Sequence, residues 1–320
     1  MLTVVKCRLE GKYSKYLSSV QLGMPVYKYV RGVEKERKDP VRRYQAGDTK
    51  TVGGIELVYI PGGSFMMGSP DGEGGSDEHP RHKVTVSPFW MGKYEVTQAL
   101  YQTVMGRNPS WFCKTGAGSN RVQKDTSRYP VEQVSWYDAV EFCNTLSRHA
   151  GRRPAYIIDK TRQDSNNTSS YDRFRWTVRV VSGSNGFRLP YEAEWEYACR
   201  AETTMRYYWG ESVDGNCCWY GNKSGTMTHP VGGKRPNAFG LYDMSGNVEE
   251  WCMDWYDENY YRISPEVNPQ GPASGGGRVL RSGSWNSFDS NIRSAHRDYG
   301  IPINKYSFLG FRVILSGGAE

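Results

Sequence analysis

The chain lacks the patterns on which several common functions depend. No apolar run approaches the roughly 18 residues that a membrane-spanning helix needs. The glycine-rich turns are not followed by the Lys-Ser/Thr pair of a phosphate-binding loop, and no serine occupies a GxSxG motif. No cysteine pair has zinc-binding spacing. These absences argue against a membrane-spanning protein, a P-loop protein, an α/β-hydrolase and a zinc finger.

Histidine and cysteine are also scarce, with five and seven residues in a chain of 320. An odd number of cysteines cannot pair fully within one chain. The adjacent Cys217 and Cys218 are more simply interpreted as two separate thiols than as a strained disulfide, so cysteine usage does not decide the redox compartment. His79 and His82 form the one close histidine pair, but they lie in a polar, glycine-rich loop that is a poor setting for a metal.

Net positive charge is missing from most of the chain. Residues 1–50 contain 12 Lys/Arg and 5 Asp/Glu, which accounts for the whole net charge of +7. The balanced remainder argues against a basic groove for nucleic acid. We therefore predict a basic N-terminal segment and linker at residues 1–50 and one domain at residues 51–320.

The composition is typical of an irregular α+β domain. Ten Trp and 23 Tyr can fill a sizeable core, while 36 Gly and 16 Pro imply many turns. Residues 153–187 have the character of an insertion. Periodicity and capping signals predict three helices, namely Thr97–Met105, a helix capped by Ser135 with Asp138 in a capping box, and Tyr191–Arg200. They also predict strands at Ile55–Ile60, Ser64–Gly68, Lys83–Ser87, Phe174–Val181, Arg278–Leu280 and Gly310–Leu315.

Ordered motifs across the chain resemble one family. They occupy residues 57–69 (LVYIPGGSFMMGS), 94–97 (YEVT), 130–139, 187–198, 236–248, 278–285 and 309–313. Together they resemble the formylglycine-generating-enzyme, or sulfatase-modifying-factor, family over residues 52–315. The resemblance implies a C-type-lectin-like fold with little regular secondary structure and many loops. Trp136, Trp195, Trp251 and Trp255 are then expected in the core.

The resemblance also raises the question of enzymatic activity. The family uses two cysteines after the Gly-Ser-aromatic motif to bind copper and activate oxygen. The matching positions here are Ser287 and Ile292, and no cysteine follows Cys252. Neither a hydroxyl group nor an aliphatic side chain replaces a thiolate as ligand of a soft metal. We therefore predict no catalytic residues, no copper and no enzymatic activity.

A second metal is suggested by the turn 243–250, which carries a carboxylate at each end. Hard oxygen ligands in a curled loop suit Ca²⁺, and the family binds calcium at this turn. The resemblance implies ligation by the side chains of Asp243 and Glu250 and the backbone oxygens of Gly246 and Val248. Glu249 departs from the family, which usually has Trp there. The alternative is a turn closed by hydrogen bonds alone.

Residues 278–315 resemble the variable region of proteins diversified by retroelements. Such diversification turns AAC codons into NNC codons, which cannot encode Lys, Glu, Gln, Met or Trp. Sixteen residues between the two predicted strands include none of these five types, and the resemblance implies that they bind a ligand. They are Asn286, Ser287, Phe288, Asp289, Ser290, Asn291, His296, Asp298, Tyr299, Gly300, Ile301, Ile303, Asn304, Tyr306, Ser307 and Phe308.

The sequence thus favours a non-catalytic ligand-binding protein. We expect it at the cell surface or outside the cell, as a monomeric lipoprotein whose export signal is absent from the given chain. Its ligand would be a protein or a surface glycan and not a nucleic acid. The alternative is an inactive family homologue with a scaffolding or regulatory role.

Overall fold

The computed structural model describes residues 44–122 and 125–316. Residues 1–43, which make up most of the predicted basic segment 1–50, lie outside this part. Tyr44 belongs to the folded domain, because its ring packs against Tyr59 and Trp90 at centroid distances of 5.4 and 4.7 Å. The domain therefore begins before the boundary at residue 51.

The first sheet joins the two ends of the domain. All neighbouring strands are antiparallel, and the last strand of the chain lies between strands from the middle. The Gly53-Gly54 turn connects the first two strands with φ values of 59° and 83°, the geometry that glycine provides in a two-residue hairpin. In sheet order the strands are β1 (Thr49–Val52), β2 (Ile55–Ile60), β5 (Phe89–Gly92), β13 (Ile314–Ser316) and β8 (Phe187–Arg188).

The second sheet has four strands and carries the C-terminal loops. Its outer strand β12 (Leu309–Gly310) runs parallel to β9 (Glu249–Trp255), and the other strand pairs are antiparallel. Two separate hairpins complete the strands, β3 (Gly63–Met67) with β4 (His82–Val86) and β6 (Tyr156–Gln163) with β7 (Trp176–Val180). In sheet order the four strands are β11 (Asp298–Gly300), β10 (Arg278–Arg281), β9 (Glu249–Trp255) and β12 (Leu309–Gly310).

The three predicted helices are confirmed. They are α1 (Gln98–Met105), α2 (Trp136–His149) and α3 (Glu192–Arg200). The Thr97 side chain caps α1, and Ser135 and Asp138 form the predicted capping box of α2. The four tryptophans assigned to the core are all buried. The predicted mixed fold, with few helices and many loops, is confirmed.

Two predictions about strands need correction. The insertion at residues 153–187 forms the hairpin β6–β7, but β6 was not predicted because its second half is polar and exposed. Gly310–Leu315 is not one strand. Gly310 ends β12 in the second sheet, whereas Ile314 begins β13 in the first. The chain changes sheets at Arg312, whose buried guanidinium pairs with Glu250 at 2.6 Å.

The cysteines and helices bear on two further expectations. All six cysteines among the described residues are free and buried, so Cys217 and Cys218 are separate thiols, as predicted. No helix in the described ranges is long and apolar enough to span a membrane.

Candidate ligand-binding surface

The sixteen residues predicted to bind a ligand lie on the loops around β11. Gly300 is the one buried member. Eight are half-buried: Ser287, Asn291, His296, Ile301, Ile303, Asn304, Ser307 and Phe308. Seven are exposed: Asn286, Phe288, Asp289, Ser290, Asp298, Tyr299 and Tyr306. Phe288 and Tyr299 leave 78% and 54% of their surface accessible, so large apolar side chains face outward here. We call the fifteen exposed and half-buried residues the loop surface.

Gly300 does not belong to this surface. A Cβ atom at this position would lie 2.7 Å from the Trp251 ring and 3.4 Å from Leu280. The space for a side chain is therefore already filled. Gly300 lets β11 pass close to the Trp251 ring, so this position presents no side chain to a ligand.

Buried ion pairs hold the backbone of the first loop of this surface, residues 286–297. Arg293 donates two hydrogen bonds to Glu78, at 2.6 and 2.7 Å. Arg297 reaches Glu192 at 2.6 Å, and Arg281 reaches Glu196 at 2.6 Å. Burial alone would raise the pKa of Glu78, but hydrogen bonds from Arg293, His296 and Ser69 outweigh it, so this pKa lies far below its usual range.

Main-chain hydrogen bonds hold the second loop of this surface, residues 301–308. The carbonyl groups of Pro302 and Tyr306 accept from the amides of Trp136 and Gln133, both at 3.0 Å. The Phe308 carbonyl accepts from the Glu249 amide at 2.8 Å. The Ser307 carbonyl accepts from the Trp285 indole at 3.0 Å. Because the accepting atoms are backbone oxygens, these contacts do not depend on which side chains the loop carries.

A cavity of about 400 Å³ opens beside the loop surface. Its lining includes residues 286–289, together with the half-buried Trp285. Tyr220, Lys223 and Thr226 form another part of its wall. These three come from a distant loop, and no local pattern in the sequence indicates that they meet the C-terminal segment.

The positions of the two missing cysteines now have other roles. Ser287 Oγ accepts a hydrogen bond from the Ser284 amide at 2.9 Å. Ile292 is fully buried in a cluster with Tyr207 and Cys218. Burial raises the pKa of the Cys218 thiol to about 12, so this nearby sulfur stays protonated at neutral pH. The arrangement offers no thiolate pair for copper.

The turn 243–250, where a calcium site was predicted, places its two carboxyl groups in different settings. Glu250 accepts from Arg312 at 2.6 and 2.7 Å and from the Trp195 indole at 2.7 Å, so both its oxygens are engaged. Asp243 Oδ2 accepts from the Gly232 amide at 2.7 Å, whereas Oδ1 is buried and no described residue donates a hydrogen bond to it. Burial raises the pKa of Asp243 to about 6. Asp243 fits a hard cation, and Glu250 in this arrangement does not.

The other two calcium positions predicted in this turn are buried. Gly246 has a φ of 84°, and its carbonyl accepts from Ser282 Oγ at 3.1 Å. The Val248 amide donates to Glu95 at 3.1 Å. Within the described ranges no three His, Cys, Asp or Glu side chains converge as a metal cluster.

Glu249, which replaces the family's usual Trp, is a further unusual residue. Only 9% of its surface is accessible. Its side chain makes no hydrogen bond or ion pair with any described residue. Burial, followed by the charge of Asp298, raises the pKa of Glu249 to about 8. The sequence marked the departure, but it did not indicate that this carboxyl group would lie beside the loop surface.

Comparisons with known proteins agree with this architecture. Residues 45–316 match the family described as sulfatase-modifying factor enzyme 1-like domain. The chain is 37% identical to "Chaperone protein LppX" of Paenibacillus barcinonensis, over 65% of this chain and 76% of that protein. It is 33% identical to a formylglycine-generating enzyme of Streptomyces coelicolor, over 80% and 87% of the two chains. The solved structure of Treponema denticola variable protein 1 superposes with a TM-score of 0.72 and 36% identity, over 84% of this chain and 99% of that one.

Proposed function

Because this chain belongs to the sulfatase-modifying factor enzyme 1-like family and lacks that family's paired cysteines, we propose that it binds a ligand without catalysis. The ligand is a protein or a glycan that the loop surface contacts. Phe288, Tyr299 and Tyr306 offer rigid aromatic contact area, while the Ser, Asn and Asp residues offer adaptable hydrogen bonds. This composition is typical of antibody-like binding surfaces.

One observation carries the proposal. Fifteen accessible side chains project from loops whose backbone is held by buried ion pairs and main-chain hydrogen bonds. The seven exposed side chains can change without removing these ion pairs and main-chain hydrogen bonds, whereas the half-buried Ile303 and Phe308 also pack against the core. A surface of this kind suits variation, and we extend the proposal to diversification by a retroelement and display at the cell surface. The similarity to a treponemal variable protein supports this extension.

The absence of catalysis follows from the same segment. Ser287 and the buried Ile292 stand at the positions of the copper-binding cysteines, and the Cys218 thiol stays protonated. A sulfatase-derived cysteine peptide incubated with the protein, copper and oxygen should remain unmodified in mass spectrometry. Formylglycine above a control without protein would contradict the proposal.

Binding is tested with two versions of the protein on the same arrays of glycans and surface peptides. The variant carries Phe288→Ser and Tyr306→Gly, and the control carries Ile157→Ser, an exposed apolar residue on the hairpin β6–β7. We expect the control to bind the same array members as the unmodified protein and the variant to bind a different set. If all three bind the same set, the loop surface is not the binding site, and the scaffolding role is preferred.

Diversification has its own test in the genomic DNA. The proposal requires a near-copy of the codons for residues 282–308, with AAC at the accessible positions, beside a reverse transcriptase gene. A chromosome that carries neither would contradict this extension and leave the binding proposal standing.

A further inference from the structure

The inference concerns Glu249 and rests on the proposed ligand-binding function. An ionised carboxylate is costly to bury, and proteins normally pair it with a cation or several hydrogen-bond donors. Glu249 is nine-tenths buried, yet no described residue donates to its side chain or forms an ion pair with it. The neighbouring Glu250, by contrast, is fully paired with Arg312 and Trp195.

The sheet register places Glu249 and Asp298 on the same face. Asp298 lies directly opposite Leu280, which lies opposite Trp251 on the next strand. Directly paired residues point to the same face, and residues two apart along a strand do so as well. Glu249 therefore shares a face with Asp298. The Asp298 side chain is exposed, and its one described hydrogen bond comes from the adjacent Tyr299 amide at 2.7 Å.

No cation in the segment 278–316 neutralises this pair of carboxylates. Arg278 lies over the rings of Trp136 and Trp255. Every other Lys or Arg in the segment pairs with an acid other than Glu249 and Asp298, and these pairs are Arg281 with Glu196, Arg293 with Glu78, Arg297 with Glu192, Lys305 with Asp138 and Arg312 with Glu250. The His296 ring lies 3.9 Å from Glu78.

The loop that carries Tyr306 and Phe308 is joined to the strand of Glu249 through the main chain. The Glu249 amide donates to the carbonyl of Phe308 at 2.8 Å, and Phe308 stacks on Tyr306 with ring centroids 5.0 Å apart. Aromatic faces attract ammonium and guanidinium groups. Carboxyl groups without a basic partner, next to a loop that carries this aromatic pair, favour an organic cation over a hydrated metal ion.

We propose that Glu249 is a fixed anchor of the binding surface that accepts a lysine or arginine side chain of a protein ligand. Asp298 supplies a negative charge on the same face that can change with the loop surface. The anchor gives every variant of the surface one constant preference, while the surrounding residues decide which protein carries the accepted side chain.

The test uses a displayed library of random peptides selected on four versions of the purified protein. They are the unmodified protein, Glu249→Gln, the control Glu211→Gln at an exposed position, and Phe288→Ser with Tyr306→Gly. Gln keeps the shape of Glu, and thermal unfolding verifies that each version is folded. We expect the unmodified protein and Glu211→Gln to enrich Lys or Arg, and Glu249→Gln to lose this enrichment.

Calorimetry then compares one selected peptide with its norleucine counterpart, which lacks the ammonium group. A hydrogen bond to a charged group changes affinity about tenfold or more, so both norleucine and Glu249→Gln should weaken binding by at least about that factor. Unchanged enrichment or affinity with Glu249→Gln would overturn the anchor. If peptides selected on the double variant match those of the unmodified protein, the proposed function itself fails, whatever Glu249 does. Calcium ions that compete fully with the peptide would instead assign the carboxylates to a metal and also overturn the anchor.

Discussion

Buried arginines and exposed aromatic residues alternate within the segment 278–316. Arg281, Arg293 and Arg297 are buried, and each pairs with an acid from a distant part of the chain. Phe288 and Tyr299 come from the same stretch and are exposed. Ordinarily the aromatic residues would be inside and the charged residues outside. The inversion teaches that here the charges hold the fold and the aromatic side chains stay accessible, as the proposed ligand-binding function requires.

The largest expected effect on stability comes from removing one of the buried arginines. Arg281→Ala leaves Glu196 and Glu192 without a common cation in the interior. Removing one member of a buried ion pair costs about 3–5 kcal/mol. Chemical denaturation should show a loss of this size or an unfolded protein. The matched control Arg179→Ala, an exposed arginine on β7, should change the free energy of unfolding by less than about 0.5 kcal/mol.

The turn 243–250 combines features of both kinds of residue, since its carboxyl groups are buried but not all of them are paired. We propose that Asp243 contributes to Ca²⁺ binding, because its Oδ1 has no partner among the described residues. A ligand at 100 times its dissociation constant stabilises the folded state by about 2.7 kcal/mol. Calcium should raise the melting temperature of the unmodified protein and not that of Asp243→Asn. Identical melting curves in calcium and in chelator would contradict the site.

Gly300 sharpens the comparison because it interrupts the loop surface. In Gly300→Ala the added methyl group meets the Trp251 ring, and overpacking of a filled core costs about 1–3 kcal/mol. The half-buried neighbour at position 301 offers the control, Ile301→Ala, which should cost less. Chemical denaturation gives the free energies of unfolding of the two variants, and Gly300→Ala should lose more. Equal losses would mean that Gly300 can vary like the residues around it.

The pH dependence of stability tests the pair Glu78–Arg293. The pKa of Glu78 is lower in the folded state than its ordinary value near 4.5, so the pair stabilises the protein above that pH. This stabilisation should disappear as the pH falls below about 4.5, at up to about 1.4 kcal/mol per pH unit. The stability difference between the unmodified protein and Glu78→Gln should therefore be large at pH 6 and narrow toward pH 3. A constant difference would mean that the pKa of Glu78 is the same in the folded and unfolded states, which would contradict the pair.

The sequence predicted features that depend on near neighbours. The capping residues Thr97 and Ser135 marked two helices correctly, and Ile55–Ile60 was found to the residue. Ordered motifs supplied the family. The accessible positions also followed from the segment itself, apart from Gly300, whose burial depends on Trp251 from another strand.

Features that depend on distant contacts were not predictable in this way. The division of Gly310–Leu315 between two sheets follows from the pairing of Arg312 with Glu250, 62 residues apart in the chain. The cavity wall at Tyr220 and Lys223 and the unpaired state of Glu249 likewise arise only when separate loops meet.

The central claim is that the loop surface can change without loss of the fold. Its most direct test is chemical denaturation of one protein that carries Phe288→Ser, Tyr299→Asp, Ile301→Asn and Tyr306→Gly together. Each surface change costs up to about 0.5 kcal/mol and such costs add for separated sites, so the total should stay near 2 kcal/mol. The single change Phe311→Ala in the core should cost about 3–5 kcal/mol. The account predicts that the fourfold variant is more stable than Phe311→Ala, and the reverse order would contradict it.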